Sequence, residues 1–282
     1  MALERNMAQL QAYQKQAAQE QQKLKDAMAK IKRKIAIISG KGGVGKSTVT
    51  VNLATAFAMQ GKRVGVLDAD IHGPSVPRLL GLEGQKVKTG PHGTFPVDGP
   101  LGMKVMSIDF FLPEQTPTIW RGPLKMRAIR QFLADIEWGE LDFLFIDLPP
   151  GTGDEPLSVA QLLPDIDGVV IVTMPSELSS SIVKKAITFA QRLNMPIIGV
   201  VENMSGFVCP GCGEKIEIFK SGGGKKMAQE MAVEFLGSIP IDPTVGADSD
   251  KGTPFIFAHK DSAAAKAFMD IVLKVEERLS KK

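Results

Sequence analysis

The chain has two cysteines, Cys209 and Cys212, among 282 residues. They lie too close in sequence to staple a fold. A disulfide framework is therefore excluded, and a reducing compartment would keep both as thiols. No apolar run approaches the roughly 20 residues needed to span a membrane. The N-terminus is rich in Gln, Ala and Lys and has no apolar signal core, so a cytoplasmic location and no membrane partner are expected. Charge of one sign is also scarce: 34 basic against 31 acidic residues leave a formal +3. That balance carries no strongly basic footprint, and no nucleic-acid partner is expected. No internal repeat is visible, and the length suffices for one α/β domain with a large core.

What is present is a phosphate-binding pattern. Gly40-Lys41-Gly42-Gly43-Val44-Gly45-Lys46-Ser47-Thr48 satisfies G-x-x-x-x-G-K-[ST] and carries a second lysine, Lys41, after its first glycine. Lys34–Ser39 before it reads as a buried strand. Val49, Leu53, Ala56 and Phe57 after it recur at helical spacing. A strand, a glycine turn and a helix N-terminus together make an anion site, with backbone N–H groups turned inward and the helix dipole favouring negative charge. In this site Lys46 reaches the β- and γ-phosphates, the Ser47 hydroxyl binds Mg²⁺, and Thr48 contacts the α-phosphate.

Residues 1–33 lack Gly and Pro and read as a single polar helical arm. Leu3, Met7, Leu10, Gln14, Ala17, Gln21, Leu24, Met28 and Ile31 follow heptad steps, but a polar middle makes any coiled coil weak. From Lys34 on, strands are expected at 63–67, 103–107, 141–146, 168–173, 196–201 and 235–239. Helices are expected at 123–135, 178–193, 224–232 and 262–279. This alternation predicts an α/β fold, a mostly parallel doubly wound sheet in a single domain over 34–282, with ligands beyond the carboxyl ends of the strands. Residues 81–102 read as an excursion, and 205–221 as an insertion carrying the cysteines. Phe268, Ile271, Val272, Val275 and Leu279 form one stripe of the last helix, read as core rather than as a membrane anchor.

Acidic residues end two of these strands. Asp147 follows Leu144-Phe145-Ile146, and its carboxylate is placed to order water on Mg²⁺. The glycine- and proline-rich run to Asp154 makes a stiff loop suited to sensing the γ-phosphate. Asp70 would orient an attacking water. Asp68 has two readings, a contact to Mg²⁺-bound water or a cap for the next helix.

Cys209-Pro210-Gly211-Cys212 has metal-knuckle spacing. A redox pair would normally open a helix, whereas this one sits among strand and glycine signals. A complete zinc knuckle needs four ligands, and the chain has no second C-x-x-C. His72, His92 and His259 are all distant in sequence. Two thiolates per chain make four in a symmetric homodimer, which would suit either a 4Fe-4S cluster or tetrahedral zinc.

The Lys41-bearing loop, Asp68-Ala69-Asp70 and Asp147–Asp154 resemble the deviant Walker A ATPases, the group containing MinD and ParA. Asp68-Ala69-Asp70-Ile71-His72-Gly73-Pro74-Ser75, Trp120-Arg121-Gly122-Pro123, Val201-Glu202-Asn203-Met204-Ser205 and the cysteine pair resemble the Mrp branch of that group. The resemblance spans 34–282 and implies a Mg²⁺-dependent ATPase of the P-loop NTPase fold, a carrier of iron–sulfur clusters that serves apo iron–sulfur proteins. It further implies that Lys41 crosses a homodimer interface to the other subunit's ATP. It puts Asn203, Pro240 and Asp242 around the adenine, and it favours a 4Fe-4S cluster over zinc at Cys209 and Cys212. The rival expectation is a MinD- or ParA-like positioning ATPase acting on membrane or DNA, with structural zinc at the cysteines.

Overall fold

The computed structural model describes residues 2–91, 93–112, 122–163, 165–175, 177–209, 211–218 and 221–281. The polar N-terminal helix, α1 (Ala2–Ala29), is followed without a loop by β1 (Ile31–Ser39) and then by α2 (Lys46–Met59) and β2 (Val64–Asp68). Next come α3 (Val76–Leu79), the small hairpin β3 (Lys88–Gly90) and β4 (Gly93–Phe95), and the short strands β5 (Val97–Asp98) and β6 (Lys104–Met106). The chain continues through α4 (Gly122–Ala134), β7 (Leu141–Asp147), α5 (Asp154–Leu162), β8 (Gly168–Thr173), α6 (Glu177–Arg192) and β9 (Ile197–Glu202). A second hairpin follows, β10 (Phe207–Val208) and β11 (Lys215–Ile216). The remaining elements are α7 (Gly223–Glu230), β12 (Phe235–Ser238), α8 (Pro243–Asp250), α9 (Phe255–Ala258) and α10 (Ala263–Ser280).

Eight strands form one sheet in the order β12-β9-β8-β1-β7-β2-β6-β5, parallel except for the β5 edge. The strands are continuous apolar runs because helices cover both faces. Phe57 of α2 shows the packing: its ring lies 4.4 Å from Phe143 and 5.4 Å from Phe145, and burying one such side chain contributes about 2 kcal/mol. The stripe on α10 is buried, from Phe268 to Leu279, and faces the core as expected.

The expected arm helix stops at Ala29, and the strand expected from Lys34 begins at Ile31. Ile31 is buried and pairs with Leu141. The charged residues after it suit a strand because aspartates meet them at the amino ends of the sheet. Lys32 pairs with Asp142 at 2.9 Å, and Arg33 with Asp167 at 2.9 Å. Leu24 and Met28 are buried where α1 packs on α4, while Leu10 and Tyr13 are exposed.

Parallel register brings the acidic strand ends together. Asp147 sits opposite Ile37 of β1 on one side and Asp68 of β2 on the other. On the other half of the sheet, Glu202 sits opposite Thr173 and Ser238. The loop after β1 therefore emerges at one rim of the sheet, with Asp147 and Asp68 on one side and Glu202 on the other.

Candidate functional site: a phosphate-binding loop and a cysteine hairpin

The loop joins β1 directly to α2. Gly43 and Gly45 both take φ 76°, the left-handed region that glycine tolerates best. At Gly45 the surroundings add a second demand, because a Cβ there would sit 2.2 Å from Asn203 Nδ2. The helix opens at once, with Val49 N–H donating to the Gly45 carbonyl at 2.9 Å. Lys41, Gly42, Lys46, Thr48, Asp70 and Pro150 line an open cleft of about 270 Å³ over this loop.

Asp147 is fully buried and gathers three side chains of the loop and helix. Lys46 Nζ lies 2.6 Å from its Oδ2, and the Ser47 hydroxyl donates to the same oxygen at 2.5 Å. The Thr50 hydroxyl lies 2.6 Å from Oδ1. The structure thus unites Lys46, Ser47 and Asp147 from two segments a hundred residues apart in sequence.

Asp68 is also fully buried. Its Oδ2 accepts the N–H groups of Ser75 and Val76 at 3.0 and 3.1 Å, and Oδ1 accepts that of Asp70 at 3.2 Å. Of its two expected readings, this geometry matches the cap for the next helix, α3. Burial, and then the neighbouring Asp147 carboxylate, push Asp68 up to about 8. Asp70 projects into the cleft, and its Oδ1 accepts the Gly73 N–H at 3.2 Å. In the same loop, His72 Nε2 meets Lys125 Nζ of α4.

Asn203 is buried, and its amide donates to the Val44 carbonyl at 3.0 Å, holding the phosphate loop from the far side of β1. Pro240 and Asp242 lie on the neighbouring segment, tied to it by Ser205 N–H to Ile239 O at 2.9 Å and Ile241 N–H to Gly206 O at 2.7 Å. Asp242 caps α8, accepting from Thr244 N–H at 3.0 Å.

The cysteines sit at the tip of the β10–β11 hairpin, Cys209 half-buried and Cys212 exposed. Gly213 N–H donates to the Cys209 carbonyl at 2.8 Å, closing the turn. The Cys212 backbone N–H, then that of Gly211, then the Cys212 thiol lower the pKa of Cys209 and favour its thiolate. Among the described residues no group of three or more His, Cys, Asp or Glu could hold a metal. Pro210, His92 and the Trp120-Arg121 part of the expected motif lie outside the described residues.

Two partners went unread in the sequence. Thr50 lies on the helix face turned to Asp147, which only the fold reveals. Glu202 had a usable signal, since Val200-Val201-Glu202 ends an apolar strand in a carboxylate as Phe145-Ile146-Asp147 does.

The model of the ParA family described as NUBPL iron-transfer P-loop NTPase matches residues 30–276. The chain belongs to this family. Within these NTPases, the iron-sulfur cluster carrier protein of Methanocaldococcus jannaschii is 55% identical over 266 residues, covering 94% of this chain and 91% of that one. A solved nucleotide-binding protein from Archaeoglobus fulgidus, in complex with ADP and with cobalt found in it, is 48% identical. It superposes with a TM-score of 0.75 over 82% of this chain and 91% of its own. MinD from Aquifex aeolicus, at 22% identity and a TM-score of 0.61 over 87% and 97% of the two chains, shares the fold. The resemblance to the iron–sulfur carrier branch holds, and so does the expected P-loop NTPase fold with a mostly parallel sheet. No described helix is long and apolar enough to cross a membrane.

Proposed function

We propose that two copies of this chain form an ATPase whose cysteine pairs hold a bridging 4Fe-4S cluster as cargo and pass it to apo iron–sulfur proteins. The observation that carries this reading is the hairpin itself. It presents two accessible thiols, one of them biased toward thiolate, which supply half of a four-thiolate set. A two-fold axis completes the set with no further ligand from the chain.

The nucleotide side fits the same reading. The left-handed glycines and the helix N-terminus suit a phosphate chain, and Lys46 supplies a buried cation. Ser47 and Asp147 offer only oxygen donors within 2.5 Å of each other, the donor type Mg²⁺ takes. When bound, Mg²⁺ supplies charge neutralisation between the β- and γ-phosphates. Lys46 exchanges Asp147 for those phosphates, Asp70 orients the attacking water, and Lys41 contacts the nucleotide of the partner subunit. Asn203, Pro240 and Asp242 form the adenine side. Asn203 spends its N–H on Val44 and keeps its amide oxygen for the base.

Anaerobic reconstitution tests the cargo. Wild type should take up about four iron and four sulfide per two chains, and Cys209→Ala should take up neither. Unchanged iron in the variant, or zinc bound in place of iron, overturns the proposal.

A further inference from the structure

Two successive residues at the end of β9 face two different sites. Asn203 turns toward the nucleotide loop. Its backbone N–H is fixed on the Thr173 carbonyl at 2.7 Å, its amide holds the Val44 carbonyl, and its Nδ2 occupies the space a side chain at Gly45 would need. Glu202 turns toward the hairpin. It is fully buried, and its Oε1 accepts from the Ser205 hydroxyl at 2.5 Å and from Gly222 N–H at 3.0 Å. Its Oε2 accepts the Gly224 N–H, and the Ser238 hydroxyl stands 3.5 Å from Oε1. Ser205 and Gly222 bracket the cysteine hairpin on its two sides. One buried carboxylate therefore clasps both ends of the cysteine-bearing segment, and the next residue along the chain clasps the phosphate loop. The following residue, Met204, takes φ 58°, a conformation that non-glycine residues rarely adopt and that the surrounding bonds hold in place.

Glu202 does not line the cleft over the phosphate loop, and among the described residues it belongs to no group of three or more side chains that could hold a metal. Its carboxylate accepts from both ends of the cysteine-bearing segment and from the first turn of α7, with the Ser238 hydroxyl of β12 beside it, and a carboxylate of this kind acts only as an acceptor. From this juxtaposition we infer that Glu202 is a positioning residue. With Asn203 it couples the seating of the cysteine hairpin to the phosphate loop, so that nucleotide and metal cargo alter each other's affinity. The inference rests on the carrier reading above. A shared rigid corner is the physical element through which both sites can bias one equilibrium, and by linkage the effect is reciprocal.

The test measures the affinity of a non-hydrolysable ATP analogue for the full chain, with and without an anaerobically reconstituted cluster. In wild type the two affinities should differ about 5-fold or more, the lower end of ordinary coupling. Glu202→Gln keeps the volume but turns an NH₂ group toward backbone donors, so the ratio should fall toward one while cluster content and cluster-free nucleotide affinity stay at wild-type levels. A ratio unchanged in the variant overturns the inference. If wild type binds the cluster yet shows no ratio, the inference alone falls. If wild type binds no cluster, the carrier reading falls first. Should Glu202→Gln fail to fold, Ser205→Ala removes one clasp from outside the core and decides the matter by the same ratio.

Discussion

Buried carboxylates do different work according to what faces them. Asp147 meets a lysine and two hydroxyls, while Asp68 meets backbone N–H groups and the field of Asp147. The cost of that arrangement falls on Asp68, whose folded-state value near 8 lies well above its unfolded value near 4. Between those values the native chain holds a proton that the unfolded chain has released. This contribution to stability is therefore full at low pH and is lost as pH rises across the window. Asp68→Asn cannot ionise and escapes the loss. Urea unfolding at pH 5 and pH 8.5 should show the variant gaining on wild type by on the order of 3 kcal/mol between the two conditions. A constant gap would remove Asp147 and burial as the cause.

At the scale of elements, the phosphate loop depends on a support that lies outside its own motif. Gly45→Ala places a methyl against Asn203 Nδ2 and strains a positive φ, so the Asn203–Val44 bond must yield. Binding of an ATP analogue should weaken by about tenfold, with stability reduced by about 1–2 kcal/mol, both measurable by titration and thermal melting. Full affinity in the variant would show that the loop adapts without Asn203.

The same scale shows what the chain makes legible. The central strands and the long helices α4, α6 and α10 were readable because their apolar spacing is local. So were the phosphate loop and Asp147, because each is a contiguous pattern ended by a charged residue. The start of β1 was hidden because Lys32 and Arg33 read as polar helix until Asp142 and Asp167 are brought beside them. Helices α5 and α8 were missed because Pro156 and Pro243, acceptable in a first turn, look like breakers in sequence. The contact of Thr50 depends on which strand lies beside which, and the clasp at Glu202 depends on where the chain returns after the hairpin; no local run of residues carries either.

At the scale of the whole molecule, the proposed function assigns the incomplete thiol set and the surplus lysine to the same partner, a second copy. Lys41 lines the cleft without contributing to the cluster around Asp147. Under the dimer proposal, Lys41→Ala leaves nucleotide affinity of the isolated chain within about twofold but lowers hydrolysis by 100-fold or more, as for loss of a positive group acting in trans. Sedimentation with an ATP analogue should show fewer dimers in the variant. Wild-type turnover in Lys41→Ala would exclude action across subunits.

The clasp at Glu202 has one more consequence, and it concerns descent rather than chemistry. Since Ser205 and Gly222 meet on a single oxygen, the polypeptide leaves β9 and enters α7 at one doorway. A segment with touching ends can be lengthened, trimmed or exchanged with little effect on the strands beneath, because the closure it demands of the chain hardly changes. The cysteine hairpin is in this sense a detachable tool on a common handle. An ancestor could acquire or discard it in a single exchange while keeping its nucleotide engine intact.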